Sequence, residues 1–191
     1  HSGEADQALL RFSWPTRDDS DTRESLALGL LERILRIELT ETLREKLGQT
    51  YSPSVNASQS RDYAGYGTFS LAAALVATDI DPARLAMIDT VEALRNAPVD
   101  EDTLLRARRP MEESIENMLK TNEGWMALVD RAQSESDRID RYTEALAIIR
   151  SFTAEDMMDL ARRYLDPTQR LEILVLPRPQ IASPPPAAGD E

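Results

Sequence analysis

Leu43-Arg44-Glu45-Lys46-Leu47-Gly48-Gln49-Thr50-Tyr51 is the stretch on which the fold turns. Upstream of it, apolar residues recur every fourth position at Leu31, Leu35, Leu39, Leu43 and Leu47, one face of a long helix that has to be buried. Gly48 then supplies the left-handed residue that ends such a helix, and Tyr51 opens a run that reads as strand. The stretch therefore sets Arg44 in a last helical turn and Tyr51 just past a corner, where a guanidinium and a phenol can point into one cleft.

Working outward, Gln7 to Trp14 alternates with Leu10, Phe12 and Trp14 on one face and reads as a strand ended by Pro15. After the acidic turn Asp18 to Asp21, Asp21 with Glu24 has the spacing of a capping box and starts the long helix. Thr50 to Ser60 and Tyr66 to Ala77 read as a hairpin joined through Arg61 and Asp62. Three later helix starts carry a side-chain cap between two apolar residues: Ile80-Asp81 with Leu85, Val99-Asp100 with Leu104, and Phe152-Thr153 with Met157. Pro82 takes a permitted early helical position, and Pro110 is expected to kink its helix. Trp125 to Ala132 and Tyr142 to Ile149 read as further short helices. Arg170 to Leu176 reads as the last strand, with Leu171, Ile173 and Val175 on one face.

Strand, helix, strand, strand, several helices, strand is the split β-α-β-β-α-β plan with extra helices before the final strand. The fold class is thus α+β, a two-layer helix-on-sheet domain over residues 1–177, followed by a Pro/Ala-rich flexible tail over 178–191.

Composition narrows the chemistry. The chain of 191 residues carries 34 acidic against 22 basic side chains, a formal net charge of −12 that opposes nucleic-acid phosphates and anionic lipid. No run reaches the roughly 20 apolar residues of a membrane span. There is no cysteine and the only histidine is His1, so thiolate chemistry, a Ser-His-Asp arrangement and a multi-histidine zinc site are excluded within the chain. Glu112, Glu113 and Glu116, with Lys120 four positions after the last, read as a solvated face. Arg106, Arg108 and Arg109 form a basic run that fits an internal ion-pair network or a domain contact.

The pattern Arg44-Glu45-x-x-Gly48-x-x-Tyr51 resembles the signature of C-terminal domains in the M16 zinc metallopeptidases, the family of insulysin, pitrilysin and the processing peptidases. Gly3-x-x-Asp6-Gln7, Trp14-Pro15, Tyr51-Ser52-Pro53, Gly65-Tyr66-Gly67, Thr121-Asn122-x-x-Trp125 and Tyr164-Leu165-x-Pro167 extend the likeness, which is strongest to the last domain of the long bacterial members. The resemblance implies a zinc site carried by another domain of the same polypeptide or by a partner subunit, no cofactor bound by this chain, and a peptide substrate. It assigns Arg44 and Tyr51 to the substrate backbone and to the negative charge that develops on the carbonyl oxygen in the transition state. It also makes Tyr66 and Gly67 cleft residues beside an edge strand to which an extended substrate adds.

Spacing by itself is compatible with plainer roles. An arginine in a last helical turn suits the helix dipole, and a tyrosine at a strand start is commonly scaffold. Paired glycines opening a strand permit a bulge or a close backbone approach, and Asn122 with Trp125 reads as a cap and a core anchor. The alternative function is a non-catalytic M16-like scaffold or interaction domain; an unrelated ferredoxin-like module is the third. A periplasmic or exported location is expected from the likeness to long bacterial members alone.

Overall fold

A computed structural model describes residues 6–47 and 53–177. Strands β1 (Gln7–Thr16), β2 (Ser54–Gln59), β3 (Gly67–Val76) and β4 (Leu171–Val175) form one sheet in the order β2-β3-β1-β4, with every neighbouring pair antiparallel. That order is two interleaved split β-α-β units, as the sequence reading requires. Six helices complete the chain: α1 (Thr22–Leu47), α2 (Ile80–Asn96), α3 (Glu101–Lys120), α4 (Asn122–Val129), α5 (Arg138–Ser151) and α6 (Ala154–Tyr164).

The core lies between the helices and one sheet face. Leu10, Phe12 and Trp14 of β1, Phe69, Leu71, Ala73 and Leu75 of β3, and Val55 of β2 are buried in one cluster with Leu31, Leu35, Leu39 and Leu43 of α1. Burying each such side chain stabilises the fold by about 1.5–3 kcal/mol, which is why a period of four residues specifies the helix. Trp14 also donates its indole N–H to the carbonyl of Asp166 at 3.0 Å, fastening the end of β1 to the turn before β4.

Local chemistry explains most boundaries. Asp100 accepts from the Thr103 amide at 2.8 Å, and Thr153 and Asp156 form a reciprocal capping box, with Leu104, Phe152 and Met157 buried beneath. At α1, Asp21 accepts from the Glu24 amide at 3.0 Å. The Glu24 carboxylate turns away to the Tyr164 hydroxyl at 2.6 Å and to Arg163 and Arg17, so only half of the expected box forms. Burial, and then the hydrogen bond to Glu24, push the Tyr164 phenol up to about 12.

Several boundaries differ from the sequence reading. Strand β1 runs through Pro15, because its pairing with β4 stops at Ser13 and leaves an edge where a missing N–H is tolerated. Helix α2 is not capped by Asp81. A 3₁₀ turn at Ala77–Asp79 leads straight into Ile80, Asp81 becomes a first-turn residue, and Leu85 is exposed. Thr121, not Asn122, caps α4, and Trp125 is 42% exposed with its indole on the Leu119 carbonyl, so it is no core anchor. Helices α4 and α5 begin earlier than Trp125 and Tyr142. Helix α3 carries the exposed Pro110, where the sequence reading expects a kink, inside its span. Strand β4 buries neither face, since Leu171, Ile173 and Leu174 all remain exposed on this edge strand. Ala77 lies outside β3 and is exposed.

Candidate functional site

Arg44 occupies the last turn of α1 and is exposed, as the sequence reading placed it. Gly48 and Tyr51 lie outside the described residues, as do the Leu47 side chain and residues 178–191. The neighbouring Lys46 is held by Asp89 of α2 at 2.6 Å, so it is fixed away from the exposed guanidinium.

Two clefts of opposite sign flank the C-terminal half of α1. Toward α2 lies a cleft of about 490 Å³ lined by Glu38, Glu45, Asp89 and Asp100 with Lys46. Burial pushes the Glu38 carboxyl up, and the hydrogen bond that Thr103 Oγ1 donates to it at 3.2 Å only partly offsets this. Toward α3 lies a groove lined by Arg33, Arg36, Ile37, Thr40, Arg44 and Arg106. Glu41 bridges to Arg106 at 3.0 Å on its rim and raises the arginine's pKa further.

The same helix face also guards the sheet. Strand β2 is an edge, and side chains meet two of the groups it points outward: Arg36 Nη2 donates to the Val55 carbonyl at 2.8 Å, and the Ala57 amide donates to Glu32 Oε2 at 3.1 Å. Glu32 and Arg36 are themselves an i,i+4 ion pair. A strand added here would need the same carbonyl and amide. At this edge the sequence reading named Tyr66 and Gly67 but missed Glu32 and Arg36, whose pairing reads from sequence as an ordinary solvated ion pair.

Tyr66 is 61% exposed on the β2–β3 turn. Gly67 begins β3 between Gln59 and Thr16, and a Cβ there would collide with the Arg17 carbonyl oxygen and Thr16 Oγ1, the close backbone approach that paired glycines suggested. Gly65 holds φ at +71°, and its amide donates to Asp18. Arg61 in the same turn bridges Asp19 at 3.1 Å and also Glu135, while Arg141 of α5 meets Asp19 at 3.1 Å. The acidic turn Asp18 to Asp21 is thus spent on clasping the hairpin and capping α1. Tyr66 and Gly67 stand at this clasped end of the sheet, and no hydrogen bond or ion pair links either of them to Arg44 among the described residues.

Most of the remaining candidates have structural partners. Glu112 and Glu116 meet Arg150, and Glu116 also meets Lys120. Arg108 donates to the Phe152 carbonyl, and Arg106 to Glu41. Among the described residues no group of His, Cys, Asp or Glu is arranged to hold a metal ion, so the side chains present do not fit a resident zinc. Nor is any described helix long and apolar enough to cross a membrane.

Known proteins agree with this architecture. Residues 1–111 match the family model described as the peptidase M16 inactive domain. No curated protein matches the chain in sequence. Among solved structures, the inactive peptidase domain of a Bordetella parapertussis protein superposes with a TM-score of 0.72 at 18% identity, over 93% of this chain and 97% of that one. A protease from Helicobacter pylori gives 0.77 at 13% identity, over 93% of this chain and 42% of that one. The periplasmic protease PqqL from Escherichia coli gives 0.71 at 17% identity, over 93% and 20% respectively. These identities speak to the fold, and the chain spans well under half of the latter two proteins. With the family model covering more than half of its length, the chain belongs to the peptidase M16 inactive-domain family.

Proposed function

We propose that this domain is the substrate-holding half of a split zinc metallopeptidase site, in which Arg44 and Tyr51 bind the substrate backbone and support the transition state. Zinc, its ligands and the general base come from another domain of the same polypeptide or from a partner subunit. The observation that carries the reading is Arg44: within the motif that resembles the M16 signature, it ends α1 exposed and without an ion pair or hydrogen bond among the described residues. In a chain with 34 acidic side chains against 22 basic ones, partners were not in short supply. A guanidinium exposed near a helix end can donate to a peptide carbonyl, and donors of this kind act most strongly where charge develops.

Tyr66 and Gly67 belong to the same proposal as contacts at the turn end of the sheet. A chain spanning 42% and 20% of two structural neighbours is consistent with a catalytic domain elsewhere in such a protein, and the likeness to the periplasmic protease PqqL is consistent with an exported setting. The scaffold reading keeps support from the family description, an inactive domain, and from the side chains that occupy the β2 edge.

Reconstitution separates the two. The chain is mixed with the zinc-bearing part of its parent protein, zinc and a quenched fluorescent peptide. Arg44→Ala and Tyr51→Phe are each expected to lower turnover by about 10²-fold with folding unchanged. Unaltered turnover in both would leave the domain as a scaffold.

A further inference from the structure

The groove between α1 and α3 is formed by two adjoining depressions, of about 290 and 180 Å³, that share Arg36, Ile37 and Arg106. Its α1 wall repeats Arg33, Ile37, Thr40 and Arg44 along one helical stripe, and its α3 wall presents Arg106 and Pro110. Glu41 is the one carboxylate among the lining residues, and it is committed to Arg106. Arg36 is pinned by Glu32 and the Val55 carbonyl. Arg33 and Arg44 have no ion pair or hydrogen bond among the described residues.

Outside the groove most described arginines meet a carboxylate, although Arg11, Arg23 and Arg108 bond only hydroxyl or carbonyl oxygens and Arg109 has no ion pair or hydrogen bond among the described residues. Arg61, Arg84, Arg141, Arg150 and Arg163 all contact carboxylates. Two of the four groove arginines, Arg33 and Arg44, lack a carboxylate partner among the described residues, and an anionic occupant would supply one. Guanidinium forks suit carboxylates in two-bond geometry, and the apolar floor of Ile37, Ala107 and Pro110 suits the aliphatic part of a peptide.

From Arg33 to Arg44 the helix rises roughly 16 Å, the length of about five residues of extended chain. We propose that this groove binds an extended acidic peptide segment, its aspartate or glutamate side chains taken by Arg33 and Arg106 beside Arg44, so that substrates rich in carboxylates near the cleaved bond are preferred. The inference rests on the reading of Arg44 above only in calling the peptide a substrate; the binding itself is independent of zinc and of turnover. A long polyphosphate is a poorer fit, because the surrounding acidic surface repels what extends beyond the groove.

The test is fluorescence anisotropy with the 191-residue chain and a fluorescein-labelled dodecapeptide whose centre alternates aspartate with serine, which sets the carboxylates on one face of an extended strand. The control peptide has asparagine for each aspartate. The acidic peptide is expected to bind at least tenfold more tightly at low salt, with Arg33→Gln and Arg106→Gln each weakening it threefold or more and Arg33→Lys, which keeps the charge but not the fork, weakening it less than Arg33→Gln. Equal binding of the two peptides, equal loss in Arg33→Gln and Arg33→Lys, or equally strong competition by a twelve-nucleotide thymidine oligomer would each overturn the proposal. None of these outcomes bears on whether Arg44→Ala slows cleavage of a neutral peptide, so the two readings fail separately.

Discussion

Arg36 Nη2 lies 2.8 Å from the carbonyl oxygen of Val55, so a side chain of α1 supplies a hydrogen bond that a fifth strand would otherwise supply to β2. The Ala57 amide receives the matching service from Glu32. An edge strand whose outward groups are met by a tethered ion pair is protected from pairing with other chains.

Arg36→Ala removes the donor to Val55 and leaves Glu32 without its partner. The expected cost is about 1–2 kcal/mol in urea unfolding, together with concentration-dependent association in sedimentation velocity that the parent chain does not show. A variant as monomeric as the parent would mean that the edge needs no such guard.

Gly67→Ala tests the other end of that hairpin. The added methyl has only backbone and a buried threonine to displace, since the atoms it meets are the Arg17 carbonyl and Thr16 Oγ1. A loss of about 2–4 kcal/mol is expected, whereas Tyr66→Ala, with its ring mostly in solvent, should change stability by less than about 0.5 kcal/mol. Thermal unfolding of the two variants side by side decides the matter.

How far these features could be read from sequence depended on the range of the physics. The leucine stripe of α1 was legible because helical period and burial are the same statement. Asp100 and Thr153 were legible because a cap is settled within four residues. Asp81 misled because the same local pattern was overridden by a turn arriving from β3, which started α2 two residues sooner. The exposure of β4 was not legible at all: alternation announces a strand, but its place at the sheet edge, where Leu171 and Ile173 meet no layer, is decided by the order β2-β3-β1-β4. At the site, Arg44 could be placed from its own helix. The basic groove could not, because Arg106 reaches it from a helix more than sixty residues away.

The capping box at α6 gives the cleanest check of local chemistry. Thr153 accepts from the Asp156 amide at 3.1 Å, and Asp156 accepts from the Thr153 amide at 2.9 Å. Thr153→Ala is expected to cost about 1 kcal/mol and Thr153→Ser a few tenths, measured by urea unfolding.

Glu38 provides a pH-dependent test of the acidic cleft. Burial is the largest influence on its carboxyl and raises its pKa, with the charges of Glu41 and Asp100 acting in the same direction. A raised carboxyl pKa means that the folded state holds the proton more firmly than the unfolded chain, so an ionised Glu38 works against folding at neutral pH. Glu38→Gln keeps an acceptor for Thr103 Oγ1 and removes the charge. It should therefore raise the melting temperature at pH 7, and the gain should shrink as pH falls through the folded pKa and vanish below the ordinary carboxylate value, where both forms are neutral. Thermal melts of parent and variant between pH 3 and pH 8 give the sign directly. A variant that is less stable at pH 7 would show instead that the Glu38 carboxylate is held favourably by Thr103 and by Arg106 across the helix.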